Sequence, residues 1–356
     1  MEDGLGNSEF ENFFNQNKQL TEYMAPSFDF IPQCPDVPEA LKLAARRGNI
    51  VPFVGAGVSQ LAGCPGWDAF ANGALKFFVD NGKLTYAQYD QMARLHSRIK
   101  LSLALDLERR YSKTIDFRAL LKSQDHKHSF GQRAYEGLAQ IGSTIVTTNY
   151  DEWLDAPIPE TSGLAALDSS SAPLSVSRKS IYHRNEIDTR ALDQKDTVIH
   201  IHGSVMDRDS MVLTTTHYLD LYASHRVDGR GDGENRFLTF LQELFRFKSV
   251  LFVGYGLGEL EILEYVVQKA GRARPENAET EAPRHFIVQG FFSHEIEVAH
   301  SLEAYYLQFG IGLLPFSRDE QDWAQLVDVI EYMSREIPAH SILPSQILQE
   351  MEDLLR

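Results

Sequence analysis

The sequence predicts an α/β fold, a Rossmann-like parallel sheet with helices on both faces and an added helical module. Three observations predict it. Short apolar runs recur along the 356 residues, helical stripes fall between several of them, and the runs end in glycines or polar residues. Short strands alternating with helices imply a parallel sheet covered on both sides. In such sheets ligands bind beyond the carboxyl ends of the strands.

Each element has its own signal. From Val37 to Gly48 the residues Val37, Ala40, Leu41, Ala44 and Ala45 fall on one helical face. Ile50-Val51-Pro52-Phe53-Val54 then reads as a buried strand entering the turn Gly55-Ala56-Gly57. Residues 67–140 read as a mostly helical insertion, with one stripe through Trp67, Phe70, Ala74, Phe77 and Phe78 and another from Leu101 to Leu107. Further strands are expected at 144–148, 198–202, 250–253 and 285–288, with a helical stripe at Phe237, Phe240, Leu241, Leu244 and Phe245 before the third of these. Stretches 161–180, 224–236 and 270–284 read as loops. The stripe Trp323, Leu326, Val327 and Ile330 closes the domain, which is expected to span 39–340 and to be followed by a helical tail at 341–356.

Residues 1–38 form a separate acidic arm. They hold seven acidic residues against Lys18 alone, four of the fourteen prolines, and rings at Phe10, Phe13, Phe14, Tyr23, Phe28 and Phe30. Packing on a second subunit or partner and folding back over the same domain are equally compatible with that composition.

Composition excludes several classes. Lys and Arg number 34 against 50 Asp and Glu, a net charge of −16, which argues against a basic nucleic-acid surface spread over the fold. The two cysteines, Cys34 and Cys64, supply neither a disulfide framework nor four thiolates for a structural metal. No stretch approaches the ~18 apolar residues that span a bilayer, and Met1-Glu2-Asp3 does not open a secretory signal. A cytoplasmic protein without membrane contact is expected.

Four constellations carry the candidate chemistry. Gly55-Ala56-Gly57-Val58-Ser59 suits close approach of backbone to a diphosphate. In Thr147-Thr148-Asn149-Tyr150-Asp151 the Asn149 carboxamide can orient a sugar hydroxyl or a water, while Asp151 can equally cap the strand end. In His200-Ile201-His202-Gly203 the alternation places both imidazoles on one strand face. No third or fourth metal ligand accompanies them, so His202 reads as a general base and His200 as a satisfied core histidine. Gly254-Tyr255-Gly256-Leu257 offers a second phosphate or ribose contact.

Taken in order, these motifs resemble the sirtuin family, and more closely its bacterial zinc-free branch, over about residues 40–335. The resemblance implies NAD as substrate. It implies that Gly55, Ala56, Gly57 and Ser59 bind the diphosphate, that Asn149 and His202 are catalytic, and that Thr148 and Asp151 beside them bind the cofactor. Gly254, Tyr255 and Gly256 would contact the adenosine half. Two departures accompany it. No cysteine follows Cys64, so the family's zinc ribbon is missing, and its Pro-Asp-Phe-Arg segment appears as Pro65-Gly66-Trp67-Asp68. Both count against recognition of acyl-lysine peptides.

The resemblance therefore implies an NAD glycohydrolase that needs no metal and releases nicotinamide and ADP-ribose. Chains of this branch are similar to bacterial anti-phage effectors, which implies a homo-oligomer activated by a partner such as a HerA-type ATPase or a short Argonaute. The alternatives are a zinc-free deacylase and a non-catalytic NAD or ADP-ribose sensor. Nicotinamide redox chemistry fits worst, because Gln60 stands where G-x-G-x-x-G needs its third glycine.

Overall fold

A computed structural model of the chain describes residues 28–122, 128–159, 175–222, 235–256 and 283–337. Its centre is a seven-stranded sheet in the order β5-β6-β2-β1-β7-β8-β9. The strands are β1 (Ile50–Val54), β2 (Thr144–Thr147), β5 (Lys179–Ile181), β6 (Thr197–His200), β7 (Ser249–Val253), β8 (His285–Phe291) and β9 (Ile311–Ser317). Every pairing in it is parallel. Two further short strands, β3 (Ile158–Pro159) and β4 (Ser175–Val176), pair antiparallel beside it.

Alternation along the strands divides the core into two layers. Val51 and Phe53 of β1 join Val146, Ile199, Val250 and Phe252 on one face. Ile50 and Val54 join Ile145, Val198, Leu251 and Val253 on the other. A two-residue period in a fully buried strand requires apolar residues on both sides. Helix α1 (Glu39–Arg46) runs into β1 and α2 (Ala56–Leu61) leaves it. The helical region that follows comprises α3 (Trp67–Asp80), α4 (Tyr86–Ala93), α5 (Ser97–Tyr111), α6 (Phe117–Leu120) and α7 (His128–Ile141). Beyond β6 lie α8 (Thr215–Tyr222), α9 (Arg236–Phe247), α10 (Ile296–Leu307) and α11 (Gln325–Glu336). The expected stripe of α9 is buried against the first face, and α7 and α11 cover the second.

The inserted module has a core of its own. Phe70, Ala74 and Phe78 of α3 meet Leu101, Ala104 and Leu107 of α5, and this cluster extends to Tyr150 after β2 and to Met211 and Leu213 after β6. The module thus sits over the carboxyl ends of two strands. Its last helix departs from the expected boundary, because Ala134, Leu138 and Ile141 of α7 pack on the sheet with α11 rather than on α3 and α5.

Three elements differ from expectation. No strand was predicted at β9, whose apolar run is interrupted by Gly312 and Pro315. At a sheet edge a proline need only satisfy one neighbour, and Pro315 pairs there with Gln289. The stretch expected as a loop at 161–180 ends in β4 and the first residues of β5, each too short to show a period. In the expected loop 224–236, Arg236 already opens α9, capped by Asn235, whose side-chain oxygen accepts the backbone N–H groups of Phe237 and Leu238. The rest of that loop, most of 270–284 and the tail at 341–356 lie outside the described residues, as do residues 1–27 of the arm. The end of the arm folds onto the domain: Ile31 is buried, and the Phe28 carbonyl accepts from His300 Nε2 at 3.0 Å.

Candidate functional site

The strand order reverses between β1 and β7, which opens a crevice beyond the strand ends. A cavity of about 900 Å³ occupies it. Ala56, Gly57 and Ser59 line it after β1, Thr148, Asn149 and Asp151 after β2, and His202 after β6. Gly254, Tyr255 and Gly256 complete it after β7. Ten of the eleven expected site residues therefore face one space. The exception, Gly55, does not line it but accepts a hydrogen bond from Asn149 Nδ2 through its carbonyl at 2.9 Å.

The glycine turns do a job the sequence did not suggest. A Cβ on Gly55 would lie 2.6 Å from the Gly254 carbonyl oxygen, and one on Gly57 would lie 2.8 Å from the same atom. The Gly57 N–H donates to that oxygen at 2.9 Å, so this amide is spent on the fold rather than offered to a diphosphate. Gly254 itself has φ +70°, a region that side chains disfavour. The two turns interlock, and the interlock forms the floor of the crevice.

Ser59 is likewise engaged. Its hydroxyl donates to Asp151 Oδ2 at 2.5 Å, Tyr135 donates to Asp151 Oδ1 at 3.3 Å, and the Trp153 backbone N–H reaches Oδ1 at 3.2 Å. Burial raises the Asp151 pKa above its ordinary value, against the opposing pull of those donors. Asp151 thus joins α2 to the loop after β2, and its bond to Trp153 is the Asx-turn anticipated as the alternative role. Burial also pushes the Cys64 thiol up to about 12, so it stays protonated and unreactive at neutral pH.

The two histidines separate. Strand β6 ends at His200, and Gly203 (φ +83°) carries the chain through a turn, so they do not share a strand face as the alternation implied. His200 is fully buried, with Nδ1 2.9 Å from the Asn149 carbonyl oxygen and Nε2 3.0 Å from Asp155 Oδ1. Two acceptors on one ring suit the doubly protonated form. Burial alone would lower its pKa, but Asp155 and the Asn149 carbonyl hold it above the ordinary value. His202 is also buried, but its Nε2 finds no hydrogen-bond partner among the described residues. Its pKa falls to about 3, through burial first and the Arg98 charge second. At neutral pH it is an uncharged imidazole.

Arg98, Tyr218, Gln289 and Asp322 also line the cavity without belonging to any motif of the sequence, and Trp67 and Tyr150 of the motifs join them. Tyr218 Oη lies 3.4 Å from His202 Nδ1, and the Arg98 guanidinium sits over the Tyr218 ring at 4.1 Å. Trp67 stacks on Tyr150 with centroids 5.8 Å apart, and the Tyr150 hydroxyl donates to the Val212 carbonyl at 2.7 Å. Gln289 and Asp322 line the opposite end. Arg98, Tyr218, Gln289 and Asp322 come from α5, α8, β8 and the turn after β9, and no local pattern links them. Pro65 also lines the cavity. Asp68 pairs instead with Lys100 at 2.6 Å and Ser97 at 3.0 Å within the module. A second cavity of about 900 Å³ behind the Gly203 turn holds none of the expected site residues.

Residues 143–309 match the family model of the SIR2-like domain. The match begins at β2, ends after α10, and contains Asn149, His202 and Gly254. It supports the sirtuin-like resemblance and fits an NAD-utilising enzyme. No curated protein matches the chain. The cavity suits a dinucleotide in volume, in its position at the reversal of strand order, and in an imidazole nitrogen without a polar partner among the described residues. Among the described residues no three His, Cys, Asp or Glu side chains gather as a metal site, and no helix is long and apolar enough to cross a membrane.

Proposed function

We propose that this chain hydrolyses NAD to nicotinamide and ADP-ribose, with Asn149 and His202 at the nicotinamide ribose. The observation that carries this reading is the buried His202 Nε2, which lacks a partner among the described residues, in a cavity it shares with Asn149. A buried polar atom left unsatisfied costs about 1–3 kcal/mol, and a ribose hydroxyl or a water held by the substrate would satisfy it.

The chemistry asks little of the protein. The bond between ribose C1′ and the nicotinamide nitrogen breaks, and its electron pair returns to the ring, which leaves as neutral nicotinamide. Positive charge remains on the ribose. Because Asn149 Nδ2 is held by the Gly55 carbonyl, the carboxamide oxygen is the end that receives a hydroxyl or a water proton. Water adds to C1′ and gives a proton to His202, which passes it to solvent. A water bonding to such a cation is strongly acidic, so a weakly basic but neutral imidazole is adequate.

The acidic composition, with a net charge of −16, and the branch resemblance support a further part of the proposal. The chain would act as an oligomeric cytoplasmic effector of anti-phage defence, quiet until it assembles with a partner such as a HerA-type ATPase or a short Argonaute. The test is nicotinamide release from NAD by purified protein, alone and with the candidate partner. Asn149→Ala and His202→Ala should abolish release while the thermal transition persists; full activity in both variants would refute the assignment.

A further inference from the structure

The far end of the cavity is built with an ordered pair of charges. Asp322 follows β9 in a left-handed conformation, φ +51°, and lines the cavity with Gln289 of β8. Asp and Asn are among the few side chains that tolerate that region. Both contacts from Arg318 go to one carboxylate oxygen: Nε donates to Asp322 Oδ1 at 2.9 Å, and a terminal guanidinium nitrogen bonds to the same atom. Oδ2 takes neither. Arg318 does not line the cavity, and its side chain is 15% exposed against 62% for Asp322. It is held back between two rings, Trp323 at 3.9 Å and Phe292 at 4.4 Å. The carboxylate therefore stands forward and the cation behind it.

Gln289 is fixed in a complementary sense. The Tyr306 hydroxyl donates to Gln289 Oε1 at 2.9 Å, which turns the amide so that its NH₂ group remains for a ligand. One end of the crevice thus offers a carboxylate acceptor and an amide donor, the pair an unmodified ribose diol requires. With the nicotinamide ribose at Asn149 and His202, after β2 and β6, the other half of a dinucleotide extends across β7 toward β8 and β9.

We propose that Asp322, with Gln289 beside it and Arg318 held behind it, reads the adenosine ribose and selects NAD over the 2′-phosphorylated dinucleotide NADP. The proposal rests on the NAD reading above and names its substrate class. A free 2′-hydroxyl donates to Asp322 Oδ2. A 2′-phosphate brings at least one further negative charge against that oxygen and has no hydroxyl proton to give.

The test is calorimetric binding of ADP-ribose and of ADP-ribose 2′-phosphate to the full chain, a readout that needs no turnover. The wild-type protein should bind ADP-ribose at least about tenfold more tightly, the scale of one close like-charge contact near a protein surface. Asp322→Asn should shrink that ratio by raising affinity for the 2′-phosphate, because the freed Arg318 can then reach it. Adding Arg318→Met to Asp322→Asn should remove the gain. Circular dichroism checks that each variant folds. Equal affinities in the wild type, or a ratio unchanged in Asp322→Asn, would overturn the selection while leaving the NAD reading intact. Failure of both nucleotides to bind would overturn the NAD reading and this inference together.

Discussion

His200 and His202 stand two residues apart at the end of one strand, are equally buried, and have opposite electrostatic fates. His200 lies between a carbonyl and a carboxylate, which favour a cation. His202 is buried near the Arg98 guanidinium, with one nitrogen unpaired among the described residues, which favours a neutral ring. The difference comes from the turn at Gly203, which takes the second imidazole out of the sheet and into the crevice. Burial alone does not decide what a histidine does; its partners decide. One ring holds the Asn149 backbone in place, and the other lines the crevice with a nitrogen that has no partner among the described residues.

The largest expected effect separates the two in activity and stability. His202→Ala should lower nicotinamide release by about 10²–10⁴-fold, the usual worth of a general base, with the melting temperature retained. His200→Ala should instead leave the Asn149 carbonyl without its donor and Asp155 with the Ser180 hydroxyl alone, and cost about 1–3 kcal/mol of stability, read as a lowered denaturant midpoint. If the two variants were indistinguishable in both assays, the division of roles would fail.

Next in size is the pH dependence of stability, where the signs differ. The folded His202 pKa, about 3, lies below its unfolded value. Its contribution is fully present above pH ~6.5 and is lost as pH falls from there toward 3, because the unfolded chain takes up the proton first. His200 is raised, so its contribution is full below pH ~6.5 and fades as pH climbs through the folded value. Denaturation of His202→Gln across pH 4–6 should show a shallower acid decline than wild type. His200→Gln should lose least, relative to wild type, on the alkaline side. Parallel curves for the two variants would contradict the assignment.

The smallest effect concerns Arg98. Arg98→Met removes the lesser cause of the depressed His202 pKa and leaves burial in place. The acid limb of nicotinamide release should move up in pH by a modest amount, and an unchanged profile would show that the Arg98 charge does not reach the imidazole.

Much of this contrast was legible in the sequence, and the reasons it was incomplete are physical. Strands β1, β2, β6, β7 and β8 announce themselves as apolar runs ending in polar residues, because a parallel strand is buried on both faces and its ligands gather at one end. Asn149 and His202 could be read from those endings. Strand β9 could not, since Gly312 and Pro315 interrupt it and only its edge position makes them tolerable. The glycines of the first turn were visible as glycines, but their partner at Gly254 lies about two hundred residues on, and only the fold shows that they are needed to let two turns touch. Arg98, Tyr218, Gln289 and Asp322 belong to no motif. They reach the cavity from helices, a strand interior and a turn, and local spacing carries no record of that meeting.

The most direct test of the contrast is nuclear magnetic resonance of the full chain labelled with ¹⁵N at histidine, titrated with ADP-ribose at neutral pH. The account predicts that the His202 ring nitrogens resonate as a neutral imidazole and shift on binding, while His200 resonates as an imidazolium and stays put. A His202 signal indifferent to the nucleotide, or a charged His202 beside a neutral His200, would contradict it.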